Sequence, residues 1–203
     1  LRGHPNILRM HAAWTAPGAL HLATECAWGG ELFRHLQRRK RFAAAETRFI
    51  IAELAAALVH AHKHKVAYRD VKPENVLFGG TGHVLLADFG LSKIVSIDEK
   101  DFPTKGCISL CGTPEYMAPE VLDRAPYGGS VDWCVLRVLM YTFVCTTSIY
   151  TYFYVFNVAR RRRSAHGYAH LTPSTMYAYV YIHINLLYSQ VGARDVVGRA
   201  TYW

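Results

Sequence analysis

An α+β fold is predicted by three stretches of this 203-residue chain. From Ala43 to about Lys65, Phe49, Ile50, Glu53-Leu54, Ala57-Leu58 and Ala61 recur at three- and four-residue steps among many alanines, which predicts a long helix. Val76-Leu77-Phe78 and Val84-Leu85-Leu86-Ala87 are short apolar runs joined by Gly79-Gly80-Thr81-Gly82, which predicts two strands and a glycine-rich hairpin turn. Near the start, Arg9 to Trp14 and Leu20 to Thr24 flank Pro17-Gly18 and read as two more strands about a turn. Glu25 to Gly30 is then a loop, and Glu31 to Leu36 a short helix that starts right after the glycines.

The chemistry concentrates around the second hairpin. Before it stands Tyr68-Arg69-Asp70-Val71-Lys72-Pro73-Glu74-Asn75, and after it Asp88-Phe89-Gly90. Asp70 could accept a hydroxyl proton, with Lys72 two residues on, the amide of Asn75 five on and Asp88 eighteen on. These are the parts that phosphoryl transfer from a magnesium nucleotide requires. Its transition state is loose and spreads charge over the moving group, so a protein mostly positions groups and neutralises charge. Asp70 would orient the acceptor hydroxyl and Lys72 would sit against the migrating phosphoryl. Asn75 and Asp88 supply the hard oxygen ligands that Mg²⁺ prefers, one at the start of a strand and one at the end of its partner. Either motif alone is weak, since Asp and Gly are common in turns. In this order and spacing, with Ala118-Pro119-Glu120 downstream, they form a recognised signature set.

Composition sets outer bounds. The chain is 51% apolar, ample for a core, and its net charge is +8. Through Tyr141 there are 17 basic and 14 acidic residues, whereas from Thr142 only Asp195 is acidic against six arginines. The charge therefore reports on the tail, and no nucleic-acid surface is expected on the motif-bearing part. Cys26, Cys107, Cys111, Cys134 and Cys145 have no metal-site spacing and read as reduced thiols, so the protein is expected in the cytoplasm, with the nucleus as the other compartment. His60, His62 and His64 do not share one helix face and lack acidic partners, which favours a solvated helix end over a metal site. Arg38-Arg39-Lys40-Arg41 reads as a solvated loop.

Taken together, Gly-Gly-Glu-Leu-Phe (29–33), Tyr-Arg-Asp-Val-Lys-Pro-Glu-Asn (68–75), Asp-Phe-Gly-Leu-Ser-Lys (88–93) and Cys-Gly-Thr-Pro-Glu-Tyr-Met-Ala-Pro-Glu (111–120) resemble the AGC group of serine/threonine protein kinases, nearest to its ribosomal-protein kinase branch. The resemblance covers Leu1 to about Tyr141. It implies a truncated two-lobe kinase fold: the end of the small lobe at 1–24, a hinge at 25–30 and the front of the helical large lobe at 31–141. It places Thr24 at the gatekeeper position, Glu25 and Ala27 at the backbone contacts to adenine, Glu31 at the ribose, and Leu77 among the ATP contacts. Thr113 matches the threonine that bonds the catalytic aspartate and lysine. Ser109 matches the activation-loop phosphorylation site, modified by an upstream kinase, with Arg69 and Lys93 as the cations a phosphate would recruit. Glu74 and Glu115 would pair with basic residues near the Ser or Thr of a protein substrate.

The pattern then decays. Val131-Asp132-Trp133 resembles the start of the next core helix, whose aspartate braces the catalytic loop, but Cys134, Arg137 and Thr142 stand where a tryptophan, a glycine and an acidic residue are usual. The Thr142 departure weakens the expected preference for basic substrates. The glycine-rich loop and the lysine–glutamate pair that grip ATP in such enzymes are missing, so the chain is expected to be a fragment with little activity alone. The alternative is a non-catalytic scaffold of kinase shape. Residues 142–203 are assigned to no domain, and ten of the 13 tyrosines fall at or after Tyr141. A shifted or intronic reading of the gene is favoured there over a divergent interaction tail. A membrane span from Val138 to Val158, flanked by Arg160-Arg161-Arg162-Arg163, is the least favoured reading.

Overall fold

A computed structural model describes residues 1, 3–95 and 106–144, with the backbone alone for Glu115. The long helix and the strand pair beside it organise these residues. The helix, α2 (Ala44–Lys63), starts where the Glu46 carboxylate accepts the Ala43 N–H at 2.7 Å, meeting one of the donors that a helix start leaves unpaired. Arg39, in the last turn of α1 (Leu32–Arg39), donates to the same carboxylate. The run of basic residues is thus partly fastened, and Lys40 caps α1 with a left-handed φ of 65°. Ile50, Ile51, Leu54, Ala57, Leu58 and Ala61 are buried along one side of α2.

That side packs on α4 (Ser130–Val144), whose Trp133, Leu136, Leu139, Met140 and Phe143 complete the larger core with Tyr68, Val71, Val76 and Leu86. The Phe42 and Phe143 rings meet edge to face at 5.5 Å, and Phe42 N–H donates to the Phe143 carbonyl. α4 runs through the expected boundary at Tyr141. Most of the charge-free segment considered as a membrane span, with the arginine run, lies outside the described residues. Among those described, no helix is long and apolar enough to cross a membrane.

Strands β3 (Gly30–Glu31), β5 (Val76–Phe78) and β6 (Val84–Leu86) form one antiparallel sheet with β5 in the middle. Glu53 of α2 ties down its hairpin: one carboxylate oxygen accepts Val84 N–H at 2.7 Å and the other accepts His83 Nδ1–H at 2.6 Å. The start of the chain docks along β6, where Leu86 N–H donates to Asn6 O and Leu8 N–H to Leu86 O. By contrast, the hairpin of β1 (Met10–Ala16) and β2 (Ala19–Thr24) leaves Met10, Trp14, Leu20 and Leu22 exposed. A third pair, β4 (Val66–Ala67) with β7 (Lys93–Ile94), and the short helix α3 (Pro119–Leu122) border a second cluster of Val95, Cys107, Val121, Tyr127 and Val131.

The expected solvated end of α2 needs correction at His62. It is buried, and its Nε2–H donates to Asp132 Oδ2 at 2.7 Å, so it has the acidic partner that nearby sequence did not offer. His64 is exposed as expected, while the half-buried His60 ring lies tilted against those of His64 and His4, with centroids 4.4 Å and 4.7 Å away. Burial, then the charges of His64, His4, the chain terminus and Lys63, hold the His60 pKa below its ordinary 6.5. The unfolded chain therefore binds more protons here, so this group is neutral in its effect above pH 6.5 and costs stability as pH falls through 6.5. The His60→Gln variant is expected to lose less melting temperature than the parent between pH 7 and pH 5. Parallel pH profiles in thermal denaturation would exclude this.

Candidate active site

Asp132 brings the catalytic loop into shape. From the first turn of α4, Oδ2 accepts Tyr68 N–H at 2.9 Å and Oδ1 accepts Arg69 N–H at 2.7 Å. Arg69 holds a left-handed φ of 72°, a conformation that costs a non-glycine residue energy and persists only where neighbours over-determine it. Two main-chain bonds to one buried carboxylate supply that constraint. Gly129 makes room for the arrangement, since a Cβ there would lie 2.8 Å from His62 Nε2. The Tyr68 hydroxyl donates to the Ala87 carbonyl, tying the loop to the end of β6, and burial raises its pKa well above 10.0.

Asp70, 6% exposed, is held by four donors. Oδ1 accepts the Thr113 N–H at 3.1 Å and the Thr113 hydroxyl at 3.0 Å. Oδ2 accepts Lys72 Nζ–H at 2.8 Å and Asn75 Nδ2–H at 2.9 Å. Lys72 also donates to Thr113 Oγ1 at 3.0 Å. Gly112 permits this approach: its φ is +105°, and a Cβ would stand 2.8 Å from the Arg69 carbonyl. Sequence spacing placed Asp70, Lys72 and Asn75 together, while the meeting with Thr113, 43 residues away, came only through the resemblance.

Asn75 closes a single 3-10 turn (Pro73–Asn75), and both of its amide hydrogens point to Asp70, one to Oδ2 and one to the main-chain carbonyl. Its amide oxygen is the part left for a ligand. Ala87 N–H donates to Asn75 O at 2.9 Å, which sets Asp88 beside it at the end of β6. Asp88 is exposed with φ 50°; Oδ1 accepts Gly90 N–H at 3.0 Å, and Oδ2 has no partner among the described residues. An amide oxygen and a carboxylate oxygen are hard donors of the kind Mg²⁺ takes, with water and phosphate completing its shell.

The remaining candidates fall into two groups. Glu31 and Leu77 are cross-strand partners in β3 and β5, and Glu31 also pairs with Arg34 at 3.6 Å. Thr24 ends β2 and is exposed; Glu25 bonds back to Arg9 through its N–H and its carboxylate; the Ala27 carbonyl accepts Gly30 N–H. No described contact joins Thr24 to Leu77. Ser109 does meet Arg69, whose Nη1 donates to Oγ at 2.7 Å, while Lys93 Nζ donates to the Gly106 carbonyl at 3.3 Å. Glu74 is half-buried, and its Oε2 is fully shielded with no hydrogen-bond partner among the described residues. The Glu115 side chain lies outside what the structure describes. Thr142, where an acidic residue was expected, donates its hydroxyl to Val138 O within α4. His62 and Tyr127 were missed as parts of the site's support; the nearness of His62 to the catalytic loop in sequence was the one available signal.

The protein kinase domain profile matches residues 1–165, and the chain belongs to that family. Over 138 residues, 68% of the chain, it is 43% identical to Protein kinase 2 of Dictyostelium discoideum and 43% identical to the serine/threonine-protein kinase Sgk2 of Homo sapiens, covering 28% and 36% of those proteins. It is 42% identical over the same length to Sgk1 of Xenopus tropicalis, covering 32%. The similarity is therefore to AGC serine/threonine kinases, and the chain spans about a third of the length of these relatives.

Proposed function

We propose that residues 1–141 are the catalytic-loop portion of an ATP- and Mg²⁺-dependent kinase acting on Ser or Thr of intracellular proteins, and that 142–203 add no catalytic group. The observation that carries this reading is the Asp70 carboxylate held by Lys72, Asn75 and Thr113 together. When bound, MgATP supplies the γ-phosphoryl and neutralises its developing charge. Asp70 orients the acceptor hydroxyl and takes its proton, and Thr113 keeps Asp70 and Lys72 in register. Lys72 would neutralise charge on the transferred group, and Asn75 and Asp88 are the residues that would hold the metal through their side-chain oxygens. The residues named for adenine and ribose are Thr24, Glu25, Ala27, Glu31 and Leu77.

These 203 residues contain neither a glycine-rich loop nor a small-lobe lysine–glutamate pair, so weak nucleotide binding and negligible turnover are proposed for the chain by itself. A thermal-shift titration with MgATP, in a chimera that supplies the missing small lobe, tests the reading. A rise in melting temperature that needs magnesium and disappears in Asp88→Asn supports it; no shift up to millimolar MgATP favours a non-catalytic module. Glu74, a half-buried carboxylate beside the catalytic loop, is the group proposed to take a substrate guanidinium, the donor that carboxylates pair with best. In a chimera that supplies the missing small lobe, Glu74→Gln is expected to raise KM for an arginine-bearing peptide about tenfold, with little change for a peptide lacking arginine. Equal effects on both peptides would remove Glu74 from substrate recognition.

A further inference from the structure

Tyr127 takes no part in the chemistry above, yet it grips the segment that carries Ser109 in two places. Its N–H donates to the Cys107 carbonyl and its own carbonyl accepts the Cys107 N–H, both at 2.9 Å, forming an isolated antiparallel bridge. Its side chain is 1% exposed, and the hydroxyl donates to the Ser109 carbonyl at 2.6 Å while accepting from Arg69 Nη1 at 3.3 Å. The same Nη1 donates to Ser109 Oγ, and Arg69 Nε donates to the Leu91 carbonyl at 2.7 Å. The guanidinium is thus held from both sides before any modification, and the serine hydroxyl already occupies it.

We propose that Tyr127 is the positioning residue of a phosphate site at Ser109, fixing the serine carbonyl and one arm of Arg69 so that the phosphoryl oxygens arrive at a guanidinium already aimed at them. This rests on the reading of Ser109 as a modified residue. A phosphoserine carries nearly two negative charges at neutral pH and strong acceptor oxygens, and a bond to a preorganised guanidinium loses less rotational freedom than one to a free side chain. Burial pushes the Tyr127 hydroxyl up from 10.0, so it remains a proton donor throughout the range in which a phosphate titrates. Its donation to the Ser109 carbonyl, while it accepts from Arg69, polarises the chain of bonds in one direction.

The experiment places phosphoserine at position 109 of the full chain by genetic encoding, which bypasses any upstream kinase, and titrates it by ³¹P NMR. The second phosphate pKa, about 6 in a free peptide, is expected to fall by about 0.5 or more in the folded chain because a cation favours the dianion. Tyr127→Phe keeps the ring and both main-chain bonds, and is expected to return at least half of that fall. If the parent shows no fall, or if Arg69→Gln leaves it intact, the docked-phosphate reading itself is overturned. A fall that Arg69→Gln abolishes and Tyr127→Phe leaves whole overturns the role of Tyr127 alone. A second measurement retains the hydroxyl: 3-fluorotyrosine at 127 is expected to shift its ¹⁹F resonance on phosphorylation of Ser109, and an unmoved resonance overturns the coupling even if the phenylalanine variant does not fold.

Discussion

Asp70→Asn, in a chimera that supplies the glycine-rich loop and lysine absent here, is expected to lower kcat about 10²- to 10⁴-fold with KM for ATP nearly unchanged. Asp70 has four donors aimed at its two oxygens, so the site is built for a group that only accepts. An asparagine keeps the shape but turns one oxygen into an NH₂, which must face either Lys72 and Asn75 or the hydroxyl and N–H of Thr113. Donor then meets donor. Whichever way the amide turns, Lys72 or Thr113 loses its anchor and the proton of the acceptor hydroxyl has no base to go to. The oxygens nominated for magnesium, on Asn75 and Asp88, are untouched, so nucleotide affinity is preserved. A variant that retains kcat within tenfold would exclude Asp70 as the base, and a matching rise in KM for ATP would make its role one of nucleotide binding.

Local periodicity and spacing were enough for the parts of this molecule whose partners lie close in the chain. The helix expected from Ala43 to Lys65 is α2 at Ala44–Lys63, because alanines and apolar steps of three and four settle both state and buried face without help. The hairpin at Val76–Phe78 and Val84–Leu86 followed from four turn residues. What could not be read from neighbours was long-range pairing. His62 looked like one of three solvated histidines, since its carboxylate partner is 70 residues away. Tyr127 stood among glycines with nothing to mark it, and its bonds reach back 18 and 58 residues. The left-handed φ of Arg69 was equally hidden, because arginine does not announce that conformation; a buried aspartate 63 residues away constrains it.

Asp132→Ala is expected to destabilise the chain by about 3 kcal/mol or more, since it removes the common acceptor of three buried donors. Three donors would lose their acceptor at once: His62 Nε2, Tyr68 N and Arg69 N, at 2.7, 2.9 and 2.7 Å. Leaving a buried donor unpaired costs about 1–3 kcal/mol, and the site is 1% exposed, so water cannot readily replace the carboxylate. Part of the loss is offset, because Arg69 can then leave its left-handed conformation and recover about 1–3 kcal/mol of strain. That relaxation is what links the stability of α4 to the active site. Once Arg69 swings out of position, Asp70 leaves the reach of Thr113, and the guanidinium leaves Ser109. Urea denaturation gives the magnitude, and amide exchange at Tyr68 and Arg69 in the milder Asp132→Asn variant gives the location. A loss below about 1 kcal/mol, typical of an ordinary surface change, with unaltered exchange at those two amides, would mean that the loop holds its shape without this brace.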